Sequence, residues 1–153
     1  MAASAQAEPM VDASVRRKFV DKVDHARDLP KLLRAPLKHA LVAVLVAHEE
    51  DRPDGDRGEP QPKSFTGLLQ FLSHPHRTEW TPPSLALNPE GNFVAIWDVK
   101  GQRYSVEFVP DAGANWVGVA KEAEGFTRKQ GHYDCLDKYE NPPFEIPKGA
   151  VAR

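Results

Sequence analysis

Ser84-Leu-Ala-Leu-Asn-Pro-Glu-Gly-Asn-Phe-Val-Ala-Ile-Trp-Asp-Val-Lys-Gly-Gln-Arg-Tyr-Ser-Val-Glu-Phe-Val-Pro-Asp-Ala-Gly-Ala-Asn-Trp-Val-Gly-Val-Ala120 decides the fold. Four apolar, β-branched or aromatic runs are separated by three turn clusters, Asn88 to Gly91, Lys100-Gly101 and Pro110 to Gly113. Short runs of this composition between turn residues read as an antiparallel meander. Lys100-Gly101 suits a two-residue hairpin loop, because glycine takes a positive φ at no steric cost. Closing the chain there sets Val99 opposite Gln102, Asp98 opposite Arg103, Trp97 opposite Tyr104, Ala95 opposite Val106 and Phe93 opposite Phe108. The turn Pro89-Glu90-Gly91 sets Leu87 opposite Phe93. The turn from Pro110 to Ala114 is expected to bring Trp116 near Phe108 and Ala120 near Tyr104.

Side chains alternate faces along a strand. One face therefore collects Leu85, Leu87, Phe93, Ala95, Trp97, Val99, Tyr104, Val106, Phe108 and Trp116, and three independently chosen hairpins agree on it. The second face holds Val94, Ile96, Asp98, Arg103, Ser105, Glu107, Val117 and Val119. That face is mixed where a one-sided sheet would be polar. It calls for a cover: a helix of the N-terminal half, the C-terminal tail or another molecule.

The rest of the chain brackets the meander. With 153 residues it has the length of one domain, and a net charge of −2 sets up no global field for nucleic acid or acidic membranes. A single cysteine, Cys135, excludes an internal disulfide and fits a reducing compartment. The first residues lack a basic segment followed by an apolar one, so no secretory signal is read there. The apolar run Leu41 to Ala47 is too short to span a bilayer, which takes about 20 apolar residues. A cytoplasmic location is expected.

Residues 1–11 read as a disordered leader and 12–153 as one α+β domain. Within it, 12–50 is predicted helical, with Val15, Phe19, Val23 and Ala26 on one face of a first helix capped by Asp12 or Ser14. Pro36 is expected to break, kink or restart a second helix. Leu37 to Glu50 then reads as a central helix on the main apolar face through Leu37, Leu41, Val44, Leu45 and His48, with a buried strand as competitor. Residues 51–63 form a proline-rich, charged linker, and Ser64 caps a short helix over 64–74. The meander occupies 84–120, and 121–153 is predicted to be an irregular tail that wraps back through Phe126, Tyr133, Leu136, Tyr139, Phe144 and Ile146. Trp80 is the expected anchor of the segment before the sheet.

Four side-chain sets bear on chemistry. Glu90, Asp98, Lys100 and Glu107 resemble the two carboxylates and lysine of a metal-dependent nuclease or hydrolase. Glu90 and Lys100 fall at opposite ends of one strand, however, and Asp98 already faces Arg103. His74, His76, His132 and Cys135 are the candidate metal ligands, but their spacing matches no common zinc motif. Asp51, Asp54, Asp56 and Glu59 do not follow the order of a calcium loop. Between Arg16 and Lys38 lie eight basic side chains against three acidic ones, so Arg16, Arg17, Lys18 and Lys22 are the candidates for phosphate contacts. Cys135 has no readable base or activating charge, and no glycine-rich phosphate loop or serine elbow is present. No cofactor is expected.

Pro83-Ser-Leu, Gly91, a strand ending in Trp97, then Glu107-Phe108 with Asp111 and Gly113 resembles small bacterial accessory proteins of the antitoxin or immunity kind. In these a helical front half precedes a short β-meander. The resemblance covers Pro83 to Val119 and implies no catalytic residue. The expected architecture is two or three N-terminal helices on a four-stranded antiparallel meander. The expected function is non-enzymatic binding of a protein through either the second sheet face, at Val94, Ile96, Glu107, Val117 and Val119, or the charged first helix, with a second copy of the chain a further candidate for the sheet face. Nucleic-acid binding by the basic helix is the alternative, and a small metal-dependent hydrolase or nuclease is the third reading.

Overall fold

The computed structural model describes residues 13–50, 58–77, 79–136 and 138–148, apart from the side chains of Val15, Arg16 and Leu32. The expected leader, the cap at Asp12 and the acidic residues of the linker at 51–57 lie outside the described residues. The fold is α+β, and the described residues form three helical stretches and one five-stranded antiparallel sheet in the order β1-β2-β3-β4-β5. The strands are β1 (Ser84–Leu87), β2 (Phe93–Val99), β3 (Gln102–Phe108), β4 (Ala114–Glu122) and β5 (Gly125–Tyr133).

The β2–β3 hairpin forms in the register that its turn dictates. Lys100 (φ 47°) and Gly101 (φ 84°) are both left-handed, as a primed two-residue turn requires, and Trp97 pairs Tyr104 while Asp98 pairs Arg103. Leu87 pairs Phe93 across a turn in which Gly91 has φ 88°. A Cβ on Gly91 would run into the carbonyl of Glu59, so the strand approach depends on glycine twice over. The third hairpin differs from expectation by two residues. Phe108 pairs Ala114, so Trp116 lies opposite Val106, and Ala120 lies opposite Gln102. The chain turns more tightly there, because Asp111 (φ 64°) and Gly113 (φ 78°) let Val109 N–H donate to the Gly113 carbonyl. A two-residue shift leaves every side chain on its expected face.

The larger correction is β5. Residues 125–133 are not an irregular tail but a nine-residue strand paired with β4 from Ala114↔Tyr133 to Glu122↔Gly125. Phe126, expected to fold back, is 72 % exposed. The true tail is the segment 138–148, which returns to the strand entrance. Thr81 N–H donates to the Pro147 carbonyl at 2.8 Å, and Trp80 bridges Lys148. Trp80 is the anchor that the sequence suggests, buried against Phe71, Trp97 and Tyr104.

The helices pack on the aromatic face. The first stretch, 13–25, runs through α1 (Ala13–Val15), a π-helical turn (Arg16–Val20) and α2 (Asp21–His25). Phe19 and Val20 at the end of the wide turn are both buried beside Val23. α3 (Lys31–Glu50) is one continuous helix with Pro36 inside it, so the proline neither ends nor restarts it. Leu37, Leu41, Leu45 and His48 recur on its buried side, which resolves the helix against the strand reading. α3 lies along β1 at the margin of the sheet, and α4 (Pro62–Leu72) occupies the centre over β2 and β3.

Helix α4 starts at Pro62, inside the expected linker, with Gln61 at its N-cap. Ser64 is therefore not the cap. Its hydroxyl donates to the Phe108 carbonyl at 2.6 Å and accepts from Phe93 N–H at 2.7 Å, which ties α4 to two strands inside the core. Gly58 and Gln61 donate to the carbonyls of Pro89 and Gly91, so the end of the expected linker is fastened to the β1–β2 turn. Phe19, Phe65 and Phe93 meet at 5.1–5.7 Å between centroids, and Phe71 meets Trp97, Phe108 and Tyr133 at 5.4–6.3 Å. Such tilted pairs add directional preference to burial.

Candidate functional site

The described helices leave the second sheet face open. Read across the strands, it forms three rows. Ala86, Val94, Glu107, Asn115 and His132 form the first, Ser84, Ile96, Ser105, Val117 and Gln130 the second. Asp98, Arg103, Val119 and Arg128 form the third. Val94, Ile96, Val117 and Val119 are half-buried by their sheet neighbours alone, and none of them belongs to the core or packs against it. All five expected binding residues thus stand together on one face. The internal cover that composition suggested is not formed by any described helix.

Polar groups at the rims of this face are held in place. Glu107 accepts hydrogen bonds from the side-chain amides of Asn88 and Asn92. Asn88 Oδ1 in turn accepts from the backbone N–H groups of Glu90 and Asn92, so the β1–β2 turn holds the carboxylate. At the other end Arg103 donates to both oxygens of Asp98, at 2.6 and 2.9 Å. That hydrogen bonding holds the Asp98 carboxyl below its ordinary range. His132 Nδ1 lies 2.7 Å from Asn115 Oδ1, which fixes a further ring at the β5 margin. The sequence reading missed Asn88, Asn92, Arg128, Gln130 and His132 as members of this face. The Asx-type turn was legible in Asn88-Pro89, but the last three become visible only once β5 is known.

The nuclease-like set does not assemble. Asp98 is paired with Arg103, Glu107 is bonded to two amides at the far end of the strand, and Glu90 and Lys100 sit in separate turns. Nor do the metal candidates converge. His76 stacks on Tyr139 with His74 tilted beside both, His132 lies on β5, and Cys135 is exposed beyond it. Among the described residues no group of three or more histidines, cysteines and acids is placed to hold a metal ion. Of the basic segment, Lys22 donates to Thr66, Lys38 pairs with Asp24 at 2.8 Å, and Arg34 donates to the carbonyls of Leu29 and Ala26. Arg17 and Lys18 are exposed, and the Arg16 side chain lies outside the described residues.

One buried cation belongs to the framework. Arg77 is 1 % exposed, lies 3.7 Å over the Phe71 ring and donates to the carbonyls of Phe71, Leu136 and Lys138. Burial lowers its pKa, and neighbouring tyrosines oppose that shift. The Tyr104 and Tyr133 hydroxyls lie 2.6 Å apart, and burial pushes both tyrosines above their ordinary range. This set closes the sheet onto the returning tail.

No described helix is long and apolar enough to cross a membrane. Compared with known proteins, the chain matches no family model, no curated protein and no solved structure.

Proposed function

We propose that this chain acts by binding another protein through the outer face of its sheet, as a stoichiometric accessory protein of the antitoxin or immunity kind working in the cytoplasm. The observation that carries this reading is the apolar set Val94 and Ile96 on β2 and Val117 and Val119 on β4, which flank Ser105 of β3 and have no described helix on them. Apolar patches rimmed by fixed polar groups favour protein interfaces over hydrated surface. Glu107 and the Asp98–Arg103 pair supply such a rim on opposite ends of the patch. The aromatic core is occupied with closing the fold, so the binding surface is the part of the sheet left over from it.

The test is a tagged capture from the native host, with nuclease treatment, comparing wild type with Ile96→Asp and with Arg17→Glu/Lys18→Glu. The expected result is one stoichiometric protein retained by wild type and by the charge-reversed helix, and lost with Ile96→Asp. Its binding to wild type is then remeasured with both components purified. A partner kept by Ile96→Asp but lost on nuclease treatment or with the helix variant overturns the reading in favour of the basic segment.

A further inference from the structure

The two edges of the sheet are finished differently. β1 has four residues, follows Pro82-Pro83, and has α3 lying along it. Short strands, prolines and covering helices are the ordinary ways of keeping an edge from pairing. β5 has nine residues, contains no proline, and has no described strand on its free side.

Backbone direction along β5 follows from its neighbours. Lys121 N–H donates to the Gly101 carbonyl, and Val109 N–H donates to the Gly113 carbonyl, so the odd-numbered residues of β4 bond toward β3. Lys121↔Phe126 and Val119↔Arg128 are therefore pairs without mutual hydrogen bonds, and the N–H and C=O groups of Phe126, Arg128, Gln130 and His132 face away from β4. Four consecutive outward-facing positions make a template for an added strand.

Charge selects the occupant. Arg128 and Lys129 are exposed and point to opposite faces of the strand. Arg128 donates to Gln130 Oε1, and neither cation makes an ion pair among the described residues. A second copy paired antiparallel about the middle of β5 would place Lys129 against Lys129, and like charges directly opposite destabilise a ladder. An extended chain with carboxylates at successive positions meets both cations instead. We propose that β5 accepts an extended acidic segment of a partner protein as a sixth strand. The added strand would lie at the β5 margin of the outer face, and Ile96→Asp, which leaves the β5 backbone untouched, tells this reading apart from binding on the patch around Ile96.

The probe is a capped nonapeptide of valine and threonine with two adjacent glutamates at its centre, one on each face, titrated into the isotope-labelled full chain and followed by NMR, with the same peptide carrying two lysines as its control. The expected result is shifts confined to β5 and β4, with slowed amide exchange at Phe126, Arg128, Gln130 and His132. Weakening with added salt is expected, since exposed charges carry the selectivity. Gln130→Pro removes one outward N–H and none of the β4 ladder, so it keeps the fold and weakens the acidic peptide about tenfold, whereas Gln130→Ala binds nearly as wild type. Arg128→Glu/Lys129→Glu transfers the preference to the lysine peptide, and this serves if Gln130→Pro fails to fold. Equal binding of both peptides, binding of neither, or concentration-dependent β5 shifts from self-association would each overturn the proposal.

Discussion

The two faces of the sheet have nearly the same length and strand count but opposite economies of polar groups. On the inner face the buried polar side chains bond to backbone or to one another: Ser64 to Phe93 and Phe108, Tyr104 to Tyr133, and Arg77 to three carbonyls through its two terminal nitrogens, its Nε alone being left buried without a partner among the described residues. On the outer face the polar groups stand in water and pair with each other, as Asp98 does with Arg103. The difference teaches where substitution is costly. A buried donor or acceptor has already given up its hydration, so removing its partner leaves that cost uncompensated, while an exposed one regains water.

The contrast is broken most directly at Arg77. Arg77→Met keeps the apolar stem against Phe71 and removes the guanidinium donor from the carbonyls of Leu136, Lys138 and Phe71, the last of which keeps the His74 N–H. The expected cost is about 3 kcal/mol, read by urea unfolding, with amide exchange accelerating first in 136–148. A loss no larger than that of an outer-face variant would mean that the guanidinium is dispensable to closure.

Ser64→Ala is the next largest. It strands one N–H and one C=O in the core, at about 2 kcal/mol, without touching any apolar contact of α4. The buried tyrosines add a pH limit to the same face. Their folded values are raised, so the stability they contribute is complete below the ordinary value of 10.0 and is lost as pH rises beyond it toward the folded values. Tyr133→Phe is expected to flatten this alkaline loss in a stability-against-pH series, and an unchanged slope would place the titration elsewhere.

How much of this was legible depended on whether a feature is carried by side-chain pattern or by backbone. The inner face could be read residue by residue, because Lys100-Gly101 admits one tight turn and the alternation then propagates. The outer patch followed from the same parity. β5 escaped, since Gly125-Phe-Thr-Arg-Lys-Gln-Gly-His-Tyr133 has no alternating apolar residues and is held by its ladder to β4. α3 was ambiguous because a β-branched run such as Val42 to Val46 suits either state until its neighbours are known. Arg77 was overlooked for a related reason. Its partners are carbonyls, which every residue offers, so no acidic residue in the sequence marks a buried guanidinium.

The outer face supplies the smallest effects, and these sharpen the comparison from the other side. Ile96→Asp, which is meant to abolish partner binding, should cost no more than about 1 kcal/mol of stability, because Ile96 is outside the core. Asp98→Asn should cost less still, about 0.5 kcal/mol at neutral pH, since exposed ion pairs are screened and carry ordering entropy. Its pH dependence separates it from every inner-face variant. Hydrogen bonding to Arg103 lowers the folded Asp98 value below the ordinary 3.8, so the pair stabilises above that pH and loses its contribution as pH falls through the lower folded value. Wild type and Asp98→Asn should therefore converge in acid, in a denaturation series at low salt. A gap that persists in acid would mean that Asp98 matters for strand packing rather than charge, and the outer face would then be part of the framework after all.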